Sequence, residues 1–162
     1  MALLDTLRSV RDRTRAEREA ESDRPQIIAR WQSDVAALYD EIHGWLLDYE
    51  RDGYLTVSTQ EIHLREEPLG LYTLDAMLIH VDDLAVRLQP AGRYVLGATG
   101  RIDMFRQGRS ARDERVLLVR QATPEGERWM LRPPAGPRTG AASGLEPLDR
   151  ASFEAAFESL LS

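Results

Sequence analysis

The chain has 162 residues, of which 43% are apolar and 30% charged, and its formal net charge is −6. This length and composition fit one globular domain with an ordinary hydrophobic core. No apolar run approaches the roughly 18 residues that a membrane span needs, and the absence of cysteine excludes disulfides, thiolate metal sites and a cysteine nucleophile. We expect a cytoplasmic protein without a membrane segment or a cofactor.

The basic residues are unusual, because all 21 of them are arginine. Since this usage is chain-wide, we interpret it as a coding bias towards arginine codons in a GC-rich, bacterial-like genome. Residues 101–138 carry 9 arginines against 5 acids, a local charge of +4 in an acidic chain. This stretch either forms a local anion-binding surface or offsets the negative charge of the acidic helix in the same fold. Nucleic-acid binding is disfavoured, because neutralisation of phosphates by basic residues supplies most of the affinity for nucleic acids, and this chain is acidic overall.

The first third of the chain predicts two helices. Residues 1–22 begin with two apolar turns and then become almost continuously charged, which is typical of a marginal helix or a frayed arm. From about residue 24 to 51, apolar residues recur at steps of three and four, which predicts a long helix. We expect Asp23 to cap it, with Gln26 completing a capping box. Its heptad stripe comprises Ile28, Trp31, Val35, Leu38, Ile42, Trp45 and Tyr49.

The heptad stripe has two interpretations. Two tryptophans favour packing on a broad sheet of the same chain, and three heptads are barely enough for a coiled coil. The alternative is a helix that pairs with a second copy or with another protein.

Residues 54–132 read with a period of two and predict a curved antiparallel meander of about six strands. A two-residue turn at Asp82-Asp83 places three apolar pairs on one face: Met77 with Leu88, Ile79 with Val86, and Val81 with Leu84. Further along, parity predicts three more apolar pairs: Ile102 with Leu118, Met104 with Val116, and Leu118 with Leu131.

Between these regular stretches, we expect a turn at residues 90–92. It would lead into one long strand over residues 93–106, bent at Gly97 and Gly100. In this register Leu88 meets Tyr94 and Val86 meets Leu96.

The second irregular place is Asp75, where the apolar residues switch from even positions (Tyr72, Leu74) to odd ones (Met77, Ile79). A β-bulge at Asp75-Ala76 would put both sets on the core face. Without a bulge, Asp75 would point into the core and need a polar partner.

The C-terminal part contains a predicted mobile loop and a helix. Residues 133–147 are rich in proline, glycine, alanine and serine. The helix follows at 150–161, capped by Asp149, with Leu148 and Phe153 as a hydrophobic staple. The predicted fold class is therefore α+β, with residues 23–162 in one domain. A closed barrel is the alternative, because this order resembles that of pleckstrin-homology-like barrels in strand count and order alone.

Residues able to carry catalysis are few. His63, Asp75 and Asp103 are the candidate catalytic set, because a buried cluster of titratable groups across neighbouring strands would perturb their pKa values. The histidine-acid cluster at His80 to Asp83 is interpreted as a solvated turn, and no metal site is predicted.

Candidate ligand- or anion-binding residues lie in the basic stretch. Guanidinium groups beside an exposed aromatic ring suit an anionic or ring-shaped ligand. These candidates are Arg101, Phe105, Arg106 and Arg109.

No motif identifies a chemistry, so we expect a non-catalytic binding or assembly domain. It would use the outer sheet face, the surface of residues 101–138 or a self-pairing helix, and its partner would be a second copy or another protein. The alternative is a small-molecule-binding domain or an enzyme with a pocket between the long helix and the curled sheet. A cavity lined by two or more of His63, Asp75 and Asp103 would favour this alternative.

Overall fold

The computed structural model describes residues 2–67, 69–95, 97–109, 114–134 and 144–162. In these ranges the elements are α1 (Ala2–Ser22), α2 (Arg24–Arg51), β1 (Thr56–Glu66), β2 (Gly70–Val81), β3 (Leu84–Gly92), β4 (Gly100–Arg106), β5 (Val116–Thr123), β6 (Gly126–Arg132), β7 (Glu146–Pro147) and α3 (Arg150–Leu161). The strands form one antiparallel sheet in the order β1 to β7. The predicted α+β meander is confirmed, as an open sheet with β1 and β7 at its edges.

The registers predicted from parity are confirmed around the Asp82-Asp83 turn, where Met77 lies opposite Leu88. Asp82 has a φ of 49°, a left-handed conformation that aspartate tolerates better than most residues. The later strands also pair as predicted: Ile102 with Leu118, Met104 with Val116, and Leu118 with Leu131. One face of the sheet, here called the inner face, therefore carries the apolar pairs.

The turn predicted at residues 90–92 is wrong. β3 continues to Gly92, and Leu88 lies opposite Met104 instead of Tyr94. The pairing of β3 with β4 shifts register between Pro90 and Gly92, as expected where proline removes a ladder donor.

The single strand predicted over residues 93–106 is wrong as well. Val95 and Ala98 form an isolated bridge around Gly97, whose φ of 76° suits glycine, and β4 begins only at Gly100. Val86 pairs with Arg106, and its predicted partner at position 96 lies outside the described residues.

The heptad stripe of α2 is buried against its own sheet. Trp31 and Ile42 are 0% exposed, and only Tyr49, at the C-terminal end of the stripe, reaches 38%. Tyr39 and Leu46, which flank the stripe, are also buried. The buried face is therefore broader than a coiled-coil seam, as packing against a sheet requires. The stripe, the inner-face residues and the apolar side of α3 form one core cluster.

α2 also packs into a split of the sheet. β3 pairs with β2 only as far as Met77, so residues 70–76 of β2 pair with β1 alone. The Tyr39 hydroxyl donates to the Asp75 carbonyl oxygen at 2.7 Å and lies 3.5 Å from the Leu88 carbonyl oxygen of β3. Gln32 Nε2 donates to the Thr73 carbonyl oxygen at 2.5 Å. Helix side chains thus satisfy strand carbonyls at the point where β3 diverges.

This split explains why both predictions for Asp75 are wrong. The register of β1 and β2 runs without a bulge, and Asp75 is exposed. Nevertheless Leu74, Ala76 and Met77 are all buried. Because α2 lies against the edge of β2, both sides of the strand contact apolar neighbours, and no bulge is needed.

The two predicted helix caps have different outcomes. The Asp23 side chain makes no cap hydrogen bond, so the predicted capping box of α2 is wrong, and α1 runs almost directly into α2. At α3 the prediction is confirmed, because Asp149 Oδ1 accepts from the Ser152 N–H at 2.8 Å. Leu148 packs on the same cluster as Phe153.

The segment predicted as a mobile loop, residues 133–147, differs at its end, where Glu146 and Pro147 pair with β6 as β7. Residues 135–143 of that segment lie outside the described ranges.

α1 projects from the domain. Among its residues with described side chains, only Thr14 is half-buried and all others are exposed. Its apolar residues Leu3, Leu4, Leu7 and Val10 are between 43% and 69% exposed. Within the described chain, neither this helix nor any other is long and apolar enough to cross a membrane.

Candidate functional site

The three candidate catalytic residues do not converge. His63 is exposed and lies opposite Thr73 in the β1–β2 hairpin, and Asp75, two residues after Thr73, is exposed on the same face. Asp103 is next to Met104 in β4, and neighbouring residues of a strand point to opposite faces. Because Met104 is on the inner face, Asp103 lies on the opposite, outer face of the sheet. The structure thus divides the set between two surfaces.

A groove of about 340 Å³ lies between α2 and the β1–β2 hairpin. Its polar lining residues are Gln32, Tyr39, Asp40, Thr59, Glu61, Thr73 and Asp75. Of the three catalytic candidates, only Asp75 lines it. Burial, with a smaller contribution from the Asp75 carboxylate, raises the pKa of Tyr39 well above its ordinary value, so its hydroxyl stays protonated and donates to the Asp75 carbonyl. The groove brings together carboxylates and a hydrogen-bond donor, without a paired base and nucleophile.

Metal binding has no support in the described parts of the chain. No group of three or more histidine, aspartate or glutamate side chains in these parts is arranged to hold an ion.

The outer face contains a compact charged cluster centred on Asp103. This carboxylate is 4% exposed, and it accepts from Arg101 Nε at 2.8 Å and from Arg115 Nη1 at 2.9 Å. The Arg115 guanidinium also lies 5.0 Å from the centroid of the Phe105 ring. The cluster therefore holds two arginines in place by ion pairing and, for one of them, by stacking on an aromatic ring.

Two of the four ligand-binding candidates, Arg101 and Phe105, belong to this cluster. Arg106 lies opposite Val86, on the inner-face parity at the end of β4. Arg109 is exposed, and its Nη1 donates to the Ser162 carbonyl oxygen at 3.3 Å. Sequence reasoning missed Arg115, which lies just before β5. The available signal was its position two residues before Leu117, which places it on the Asp103 face.

A second charged cluster, around Arg120, was also missed. Arg120 is 2% exposed on the inner face, where its Nε and Nη2 donate to the Thr99 carbonyl oxygen at 3.1 and 2.7 Å. It pairs with Asp34 of α2 and lies 4.8 Å from the Trp31 ring centroid. Trp31 in turn stacks on Trp129, with centroids 6.1 Å apart. This cluster joins α2 to the loop before β4, which is a structural role.

The tip of the β1–β2 hairpin is fastened by Glu66. Its carboxylate accepts from the backbone N–H groups of Arg93 and Tyr94, at 3.0 and 2.8 Å, and from the Tyr72 hydroxyl. Burial and this hydrogen bond raise the pKa of Tyr72. A Cβ at Gly92 would lie 2.7 Å from Glu66 Oε1, so a side chain at this position would displace the carboxylate. These bonds hold the loop after β3 against the hairpin.

No family model, curated protein or solved structure matches this chain.

Proposed function

We propose that this protein is a non-catalytic binding domain that contacts another protein through the outer face of its sheet. The outer face is defined here as the surface formed by Arg101, Asp103, Phe105, Arg115, Leu117, Val119, Met130 and Arg132. The observation that carries the proposal is the buried Asp103 carboxylate holding two partly exposed arginines. Side chains that are already ordered lose less conformational entropy on binding.

The apolar residues of the outer face support a protein contact. Along β5, Val116 and Leu118 are fully buried in the core, whereas Leu117 and Val119 between them are half-exposed. Met130 of β6, which lies opposite Val119, is half-exposed too. Arginine, methionine and aromatic residues are enriched in the cores of protein–protein interfaces.

A catalytic role has less support. General acid–base or nucleophilic catalysis requires side chains that converge on one reacting atom. His63 and Asp75 face away from Asp103, and the Asp103 carboxylate is engaged by two arginines.

The groove between α2 and the β1–β2 hairpin favours a second candidate function, small-molecule binding. Its volume of about 340 Å³ is at the lower end of the range for ligand pockets. Ala36 lines the groove, and Ala36→Trp would fill it. A compound that raises the melting temperature of the wild type but not of this variant would support the second function.

A homodimer is the other form of partner that the heptad suggested. Because the α2 stripe is buried in its own core, such a dimer would have to use α1 or a sheet surface. Two outer faces, each with three arginines and one aspartate, would repel each other in a symmetric dimer, so this face suits a different protein as the partner.

Site-specific photo-crosslinking in the cells that make the protein tests the proposal. A benzophenone amino acid replaces Val119 on the outer face or, as a control, Tyr54, which is 70% exposed before β1. We expect one discrete crosslinked product from position 119 and none from position 54. Equal products from both positions, or none from position 119, would contradict the proposal. The mass of the product distinguishes a second copy from another protein.

A further inference from the structure

We infer that the outer face binds an acidic peptide segment of its partner, whose carboxylates pair with Arg101 and Arg115. This inference rests on the proposed function and specifies its ligand class.

The charge of the outer face is complementary to an acidic ligand. The outer face contains three arginines and one aspartate, a formal charge of +2 in a chain whose total is −6. Arg87 lies opposite Phe105 on the same face of β3 and adds a further positive charge beside it. An acidic segment is therefore repelled by most of the chain and attracted to this face, which gives specificity as well as a faster encounter.

The guanidinium groups of Arg101 and Arg115 are held in a fixed orientation by Asp103. Arg101 donates to Asp103 through Nε and Nη2, and Arg115 donates to it through Nη1. The two side chains remain 38% and 32% exposed, so a ligand at the surface can contact them. A guanidinium group carries five N–H donors in a planar fork that matches a carboxylate. Holding this fork in place reduces the entropy that is lost when a second carboxylate binds.

The outer face suits a peptide better than a nucleic acid. The Arg115 guanidinium already lies over the Phe105 ring, so a base cannot stack on that side of the ring. Leu117, Val119 and Met130 offer half-exposed apolar surface beside the arginines, which suits the apolar side chains of a peptide. Nucleic-acid binding relies instead on neutralising many phosphates, which a chain of net charge −6 disfavours.

Fluorescence anisotropy with a labelled decamer of glutamate tests the inference. We expect saturable binding to the wild type at low salt, and about tenfold weaker binding to Arg101→Gln, since hydrogen bonds to charged groups contribute about this much. Arg132→Gln removes a charge from the same face without touching Asp103, and it should also weaken binding. Arg8→Gln on α1 changes the net charge equally and should leave the affinity unchanged. A glutamine decamer should not bind.

Each outcome supports or overturns the acidic ligand. Circular dichroism shows whether Arg101→Gln remains folded, and Arg132→Gln provides the test if it does not. Equal weakening by Arg8→Gln, or tighter binding of a ten-nucleotide single-stranded DNA than of the peptide, would overturn the inference. If position 119 crosslinks a partner but the glutamate decamer fails to bind, the proposed function survives and the acidic ligand does not. If both experiments fail, the proposed function falls with it.

Discussion

Gly100 and Trp31 are in such close contact that a Cβ on the glycine would lie 2.4 Å from Cζ3 of the indole ring. The ring is held in this position, because Trp129 stacks on it and Arg120 lies 4.8 Å from its centroid. A side chain at position 100 therefore meets an aromatic system that has little room to move.

Gly100→Ala should accordingly destabilise the protein, by about 1–3 kcal/mol, the usual cost of overpacking a core. Urea denaturation measures this as a change in the free energy of unfolding. Gly44→Ala is the matched control, because Gly44 lies in α2 and a Cβ there would have no described neighbour within 4 Å. It should stabilise by about 0.5–1 kcal/mol, the helix-propensity difference.

The steric origin is isolated by adding Trp31→Phe, which shortens the ring. The double variant should lose less stability than the two single variants added together. Strict additivity would show that the effect arises instead from the backbone conformation of Gly100, whose φ of 157° suits glycine better than alanine.

Tyr39→Phe tests the role of α2 at the split between β2 and β3. The substitution keeps the ring and removes the hydroxyl that donates to the Asp75 carbonyl oxygen at 2.7 Å. Because this site is buried, the loss should cost about 1–3 kcal/mol in the free energy of unfolding. Tyr54→Phe, at an exposed position, should change it by less than about 0.5 kcal/mol. Equal effects of the two variants would contradict the bridging role of Tyr39.

Alkaline pH should destabilise the fold through Tyr39 and Tyr72. Burial raises both pKa values above the ordinary 10.0, so the folded state retains protons that the unfolded state releases. Their contribution to stability is complete below pH 10 and is lost as the pH rises above it. The loss should be about 1.4 kcal/mol per pH unit for each tyrosine.

Tyr72→Phe should reduce the loss of unfolding free energy per pH unit by the contribution of one tyrosine, about 1.4 kcal/mol. Urea denaturation between about pH 10 and 11.5 measures this loss. In the wild type, the 295 nm absorbance of these two phenolates should appear only with unfolding. An unchanged slope in the variant would show that Tyr72 titrates normally.

Deletion of residues 1–22 tests whether residues 23–162 form the complete folding unit. No described side chain of α1 is buried, so the free energy of unfolding should change by less than about 0.5 kcal/mol. A loss of several kcal/mol would show that α1 contributes to the core. Light scattering on both forms also reports whether the exposed Leu3 and Leu7 mediate self-association.

The periodicity of side chains along each element was enough to predict much of the fold. The stripe from Ile28 to Tyr49 predicted the long helix, and the parity around Asp82 predicted the pairing of Met77 with Leu88. A buried face produces a repeat of apolar residues with a period of 3.6 residues in a helix and of two residues in a strand, because side chains on that face avoid water and those on the other face reach it. Across the register shift between Pro90 and Gly92 this alternation continued, and it predicted a turn that does not form.

The surroundings of Asp75 and the partners of Asp103 became known only from the tertiary structure. Periodicity predicts which side of a strand is buried, but it does not identify the element that covers it. Only the three-dimensional fold brings α2 to the edge of β2 and leaves Asp75 exposed. Likewise, Asp103 reaches Arg115 across a strand pair. The fold decides which polar residues that are distant in sequence come into contact, and a local sequence pattern contains no information about such contacts.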